Sequence, residues 1–154
     1  MDAHPAYYIL VDSRTETVFR ISQQLHEQAV VKRRICGFMS DLIDRNTMVQ
    51  HLLALEAQVD IQTLQLPEER IAPDDSESLH HAASVLLELP LFLAKPDEPT
   101  VQELLKDAQQ MHEAEHIDII FIDTAGITEF TGEVREAALT ALKQQLHAAG
   151  FQEA

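Results

Sequence analysis

The 154 residues predict a three-layer α/β domain: a mainly parallel sheet with helices on both faces. Three observations carry this. Four short apolar runs are continuous rather than alternating, as in strands covered on both faces. Longer stretches with helical periodicity separate them. The resulting order, β-α-β-α-α-β-α-β-α, is that of strands joined by helical crossovers, which are right-handed by rule.

The first strand is Tyr7 to Val11. Thr15 to Val30 follows as a helix with Val18, Ile21 and Leu25 on one face, capped by Ser13 or Thr15. Ile35 to Met39 is the second strand. Asn46 to Ala57 is a helix carrying Met48, Val49, Leu52, Leu53 and Leu55. Pro67 to Glu77 holds two prolines and several carboxylates and reads as a loop with one helical turn. Ser76 to Leu89 is helical, with Asp74 or Ser76 as its cap. Leu91 to Ala94 is the third strand. Thr100 to Glu113 follows Pro99, with Thr100 at the N-cap and Glu103 at the capping-box position. Ile117 to Ile122, broken only by Asp118, is the fourth strand, and Gly132 to Ala149 is a helix stopped by Gly150.

Composition narrows the function classes. There are 26 acidic and 11 basic side chains, a formal charge of −15, which disfavours direct DNA binding through a basic face. Apolar residues make up 45%, enough for a core. No run approaches the ~18 apolar residues of a membrane span, and Met1-Asp2-Ala3-His4-Pro5 lacks the features of a secretory signal. The lone Cys36 fits a reducing cytoplasm. One domain, residues 1–154, is expected.

In parallel sheets, ligands bind beyond the carboxyl ends of strands. After the first strand comes Asp12-Ser13-Arg14-Thr15-Glu16-Thr17, where a phosphate loop would need glycines and a lysine. Neither is present, and Glu16 would repel a triphosphate. Ile119-Ile120-Phe121-Ile122-Asp123 has the apolar-run-plus-aspartate form of a Mg²⁺-holding strand end, and Asp123-Thr124-Ala125-Gly126 matches D-x-x-G. The competing reading is an aspartate that caps the next turn. His112-Glu113-Ala114-Glu115-His116 satisfies H-E-x-x-H, with Glu136 downstream as a conceivable third zinc ligand. The strand from Ile117 forces the helix to end inside that motif, which favours a solvated histidine at a helix terminus instead. His80 and His81 face different ways on their helix, and Cys36 reads as a small buried hydrophobe. Lys32, Arg33 and Arg34 form the densest basic spot, a solvated strand start or a small anion or partner site.

From Cys36-Gly37-Phe38-Met39-Ser40-Asp41-Leu42-Ile43-Asp44 through Leu52-Leu53-Ala54, Glu56-Ala57 and Val59-Asp60, the chain resembles the "FFSLEMS…RLLA.EA.VD" segment of DnaB-type replicative helicases. Leu89-Pro90-Leu91-Phe92-Leu93 is similar to that family's "LPLYI", Thr100-Val101-Gln102-Glu103-Leu104 to its "TVLEL", Ile117 to Asp123 to its Walker B strand, and Glu133 to Leu146 to the helix after it. The resemblance runs from about residue 6 to 149 and implies a RecA-like P-loop NTPase fold, degenerate and truncated.

In that register Thr15 and Glu16 replace the glycine and lysine of the Walker A loop, and Leu42 falls on the catalytic glutamate. Thr124-Ala125-Gly126-Ile127 stands where the family has "YLQL", and the DNA-binding loops look reduced to Gly126 to Gly132. The next core strand and the arginine finger have no counterpart. Only Thr17 and Asp123, with the backbone near Ser13, match a nucleotide–Mg²⁺ site.

The resemblance therefore implies a non-catalytic, pseudo-ATPase interaction or regulatory protein, in DNA replication or a mobile element. It has no catalytic residue, no metal and no cofactor beyond weak Mg-nucleotide at Ser13, Thr17 and Asp123. Its expected partner is a protein, a replicative helicase or a second copy paired through an exposed Tyr7–Val11 edge. Mimicry of DNA by the acidic surface is a further route. A nucleotide-binding protein or slow NTPase using Thr17 and Asp123, and a zinc hydrolase through His112, Glu113 and His116, are the alternatives.

Overall fold

The computed structural model describes residues 5–98, 100–129 and 132–154; Pro99, and part of the Gly126 to Gly132 loop, lie outside them. Five strands form one sheet: β1 (Ala6–Val11), β2 (Cys36–Met39), β3 (Leu91–Ala94), β4 (Ile119–Asp123) and β5 (Phe151–Glu153). Their order is β3-β2-β4-β1-β5 and every pairing is parallel.

Side chains alternate across the sheet and so divide the core in two. Ile119 and Phe121 of β4 join Val11, Cys36 and Phe38 beneath α1 (Val18–His26), α2 (Arg45–Ala57) and α3 (Pro73–Leu87). Ile120 and Ile122 join Tyr8, Met39 and Phe151 beneath α4 (Val101–Glu115) and α5 (Gly132–Ala148). All of β4 is buried, which explains its unbroken apolar run. Gly37 of β2 permits a close approach: a Cβ there would collide with Met111 Sδ of α4.

Several boundaries differ from the sequence reading. Thr17, rather than Ser13 or Thr15, caps α1, its hydroxyl accepting from the Arg20 N–H at 3.1 Å. The same helical run continues past His26 as a π-helical segment, Glu27–Val31. Helix α3 starts at Pro73, not Ser76. Proline at N1 has its φ preset, and Asp74 and Asp75 sit favourably in the first turn, so Ala72 serves as N-cap with no side-chain bond. Two 3₁₀ turns, Ile61–Gln65 and Glu68–Arg70, bridge α2 to α3. Thr100 caps α4 as expected, accepting from Glu103 N–H at 3.2 Å.

The largest correction concerns the β1 edge. Tyr7 to Val11 was expected to lie open, and a second copy was expected to pair with it. Instead β5 lies beside it, with Ala6, Tyr7 and Tyr8 in register with Phe151, Gln152 and Glu153. Gly150, at φ +101°, turns the chain out of α5, and Phe151, 1% exposed, anchors the new strand in the core. Three residues carry too little periodicity to announce a strand. The outer strands of the sheet are β3 and the three-residue β5, which is in register with Ala6 to Tyr8 and not with Ile9 to Val11.

Candidate functional site

The chain leaves β1 toward β2 and leaves β4 toward β5, on opposite faces of the sheet. Adjacent strands whose connections diverge make a crevice at their carboxyl ends, the usual ligand position in such sheets. Ser13 and Asp123 meet at that crevice.

Asp123 is 2% exposed and fully engaged. Its Oδ1 accepts from the Ser13 N–H and the Ala125 N–H, both at 3.0 Å. Its Oδ2 accepts from the Ser40 hydroxyl at 2.7 Å. Ser40 Oγ in turn accepts from the Leu42 and Ile43 N–H groups at 3.2 and 2.8 Å. One carboxylate thus ties together the carboxyl ends of β1, β2 and β4. The bond to Ala125 is the turn-capping role that competed with metal binding.

The turn after β1 is closed on itself. The Asp12 N–H donates to Glu16 Oε2 at 3.1 Å, and the Arg14 N–H to Asp12 Oδ1 at 3.0 Å. The N–H groups of Thr15 and Glu16 both donate to the Asp12 carbonyl, at 3.0 and 2.8 Å. With Ser13 bound to Asp123, all five N–H donors from Asp12 to Glu16 have internal acceptors. Phosphate cradles work because such donors point outward at the ligand. Here the Glu16 carboxylate fills the place of an anion.

Two cations lie near, both bound to Asp12. Arg14 Nη2 is 3.1 Å and Arg135 Nη2 3.2 Å from Asp12 Oδ2. Hydrogen bonding from Arg14, then its charge and that of Arg135, hold the Asp12 carboxyl below the usual carboxylate range against the opposing effect of burial. Arg135 Nη1 also donates to the Thr124 carbonyl at 3.1 Å, linking α5 to the end of β4.

Of the residues singled out from the sequence, Ser13 and Asp123 come together, whereas the Thr17 hydroxyl caps α1 on an exposed surface. The Ser13 Oγ is buried and has no hydrogen-bond partner among the described residues. Leu42, which the resemblance sets against a catalytic glutamate, is 56% exposed. Ser40 and Arg135 escaped notice. A polar residue closing an apolar strand, and an arginine in the first turn of a helix against its dipole, are the signals that identify them.

The other candidates sit apart. Helix α4 ends at Glu115, and His116 takes a left-handed C-cap conformation, its N–H donating to the His112 carbonyl at 2.9 Å. The His112 ring rests on Phe151, centroids 5.4 Å apart, so the two histidines do not share a helical face toward a cleft. Among the described residues no cluster of three or more His, Cys, Asp or Glu could hold a metal. Cys36 is buried, and burial, then repulsion from Asp118, push its thiol up to about 12. His80 and His81 are exposed. Arg34 is held by Gln28, 3.1 Å away, while Lys32 and Arg33 are exposed.

Comparison with known proteins gives one family, described as "DnaB-like helicase C terminal domain", matching residues 12–149. No curated protein sequence matches significantly. Among solved structures, one described as an "ATPase Domain" superposes with a TM-score of 0.69 at 9% identity, covering 99% of this chain and 58% of its own. Another, "The Structure Of A DnaB-Like Replicative Helicase And Its Interactions With Primase", gives 0.68 at 10% identity, covering 98% and 39%. The chain therefore spans less than two thirds of the length of either.

Proposed function

We propose, from the premise that this chain belongs to the DnaB-like helicase C-terminal domain family, that residues 1–154 act as one pseudo-ATPase domain that binds proteins and does not hydrolyse nucleotide. The observation that carries the reading is the closed turn after β1. Every N–H from Asp12 to Glu16 is satisfied internally, and the Asp123 carboxylate already accepts three hydrogen bonds. Phosphoryl transfer depends on positioning and charge neutralisation. The lysine is replaced by Glu16, the base by Leu42, and the two nearby arginines are paired with Asp12.

The partner class follows from the family: a component of the replication apparatus, with a replicative helicase first. One structural neighbour is described together with its interactions with primase, which supports a protein partner of this kind. The site of action is the cytoplasm. No described helix is long and apolar enough to cross a membrane.

The buried, unpartnered Ser13 hydroxyl favours one competing reading, a retained nucleotide site formed by Ser13, Thr17 and Asp123. Thermal unfolding in millimolar Mg²⁺–ATP and Mg²⁺–GTP separates the two. A ligand present at 100 times its Kd stabilises by about 2.7 kcal/mol, which is visible as a shift in Tm. The pseudo-ATPase reading expects no shift. A shift abolished by Asp123→Asn would establish the competing one. Affinity capture from the native host, scored for a replicative helicase, tests the partner.

A further inference from the structure

We propose that the outer edge of β3 is a docking site for an extended, basic protein segment, which adds to the sheet as a further strand. The reading deepens the interaction role above and rests on it for its biological meaning, but its geometry lies at the opposite end of the sheet from β5.

In the β2–β3 ladder, the Cys36 N–H donates to the Pro90 carbonyl at 3.1 Å and the Ser40 N–H to the Ala94 carbonyl at 3.2 Å. Backbone groups alternate along a strand, so Pro90, Phe92 and Ala94 face β2. The N–H and C=O of Leu93 therefore point outward, where no described strand pairs with them. The outward Leu91 N–H is already bonded to the Leu89 carbonyl at 2.9 Å, so the open groups are the Leu91 carbonyl and the N–H and carbonyl of Leu93, a short template of the kind proteins use to bind extended peptides.

Beside the edge runs a groove of about 390 Å³ between β3 and α4. Its apolar lining comes from Phe92 and Ala94 of the strand and from Met111 and Ala114 of the helix. Its charged lining is Asp97, Asp107 and Glu115 against one cation, Lys95. Asp107, Met111 and Ala114 are spaced to share one helix face. Desolvation, then the nearby Glu103, raise the Asp107 carboxyl above its ordinary value, with Lys106 opposing them and Asp97 adding to them. An added strand places every second side chain on the α4 face, so one in which those residues are in turn apolar and basic would satisfy the groove and these acids together. A second copy of a chain with net charge −15 would bring like charge to the same place.

The test uses the full chain and a capped peptide, about eight residues long, with valine and lysine in turn at every second position and threonine between them. Binding is followed by fluorescence anisotropy, and the site by amide hydrogen exchange. The peptide is expected to bind, to slow exchange at Leu93, and to lose about tenfold in affinity to Asp107→Asn/Glu115→Gln, with a glutamate–valine peptide inert. Binding that leaves Leu93 exchange unchanged, or that the double variant does not weaken, overturns the proposal as mere charge attraction. Dimerisation that protects Leu93 without peptide overturns it in favour of a second copy. Nucleotide titration reads the β1–β4 crevice, so either proposal can fail alone.

Discussion

Asp123 acts here as a structural acceptor, and that role separates it experimentally from a metal ligand. Removing it would strand the Ser13 and Ala125 N–H groups and the Ser40 hydroxyl in a dry place. Each buried donor left unpaired costs about 1–3 kcal/mol. Asp123→Ala is thus expected to lower stability in urea by roughly 2–4 kcal/mol without any added ion, whereas a carboxylate kept only for Mg²⁺ would be relieved by its loss. Asp12 gives a pH test. Its folded pKa is depressed, so its contribution is complete above the ordinary carboxylate range and is lost as pH falls through the lowered value. Asp12→Asn should therefore flatten the acid limb of a urea midpoint-versus-pH curve below about pH 4. Cys36, with its thiol pushed up to about 12 behind a buried strand, should react with a thiol reagent at neutral pH only on unfolding.

At the scale of elements, β5 is the piece on which the reading of the edge turned. Phe151 is 1% exposed, packs in the core beneath α5, and meets the His112 ring at a tilt of 57°. Phe151→Ala should cost about 3–5 kcal/mol and speed amide exchange along β1, measured residue by residue. Unchanged β1 exchange would mean that β5 does not protect the edge. Gly37→Ala should cost about 1 kcal/mol or more, because Met111 must move, and the penalty should shrink in a Met111→Ala background. Strands β1, β2 and β4 and helices α2, α4 and α5 were legible from the sequence because each turns an apolar run or stripe to the core, and β3, half-buried throughout, because its apolar run is continuous. The start of α3 and the existence of β5 were not. One is fixed by proline's preset φ rather than by periodicity, and the other is three residues long. The crevice was half legible. Asp123 closes an apolar run, but its partners Ser40 and Ser13 lie 83 and 110 residues away in sequence, so only the folded register of β1, β2 and β4 reveals that they share one carboxylate.

For the molecule as a whole, the net charge of −15 sets a balance that the interior does not. Attraction between opposite charges stabilises a fold less as salt rises, while repulsion among like charges is relieved by it. Among the described residues there are three ion pairs, of which one depends on a protonated histidine and two share Asp12. There is little attraction to screen and much repulsion. Thermal stability should accordingly rise between about 10 mM and about 300 mM NaCl, as the screening length shortens from roughly 30 Å toward a few ångströms. A Tm that falls with salt would show that networks beyond these three pairs dominate. The same field predicts how a partner arrives. A basic segment should associate faster at low salt, with the salt dependence lying mainly in the association rate, while a short DNA duplex should show no binding at any salt in that range. DNA binding in that range would show that local basic groups such as Lys32 to Arg34 outweigh the global charge, and would make nucleic acid, rather than protein, the ligand of this helicase-like fold.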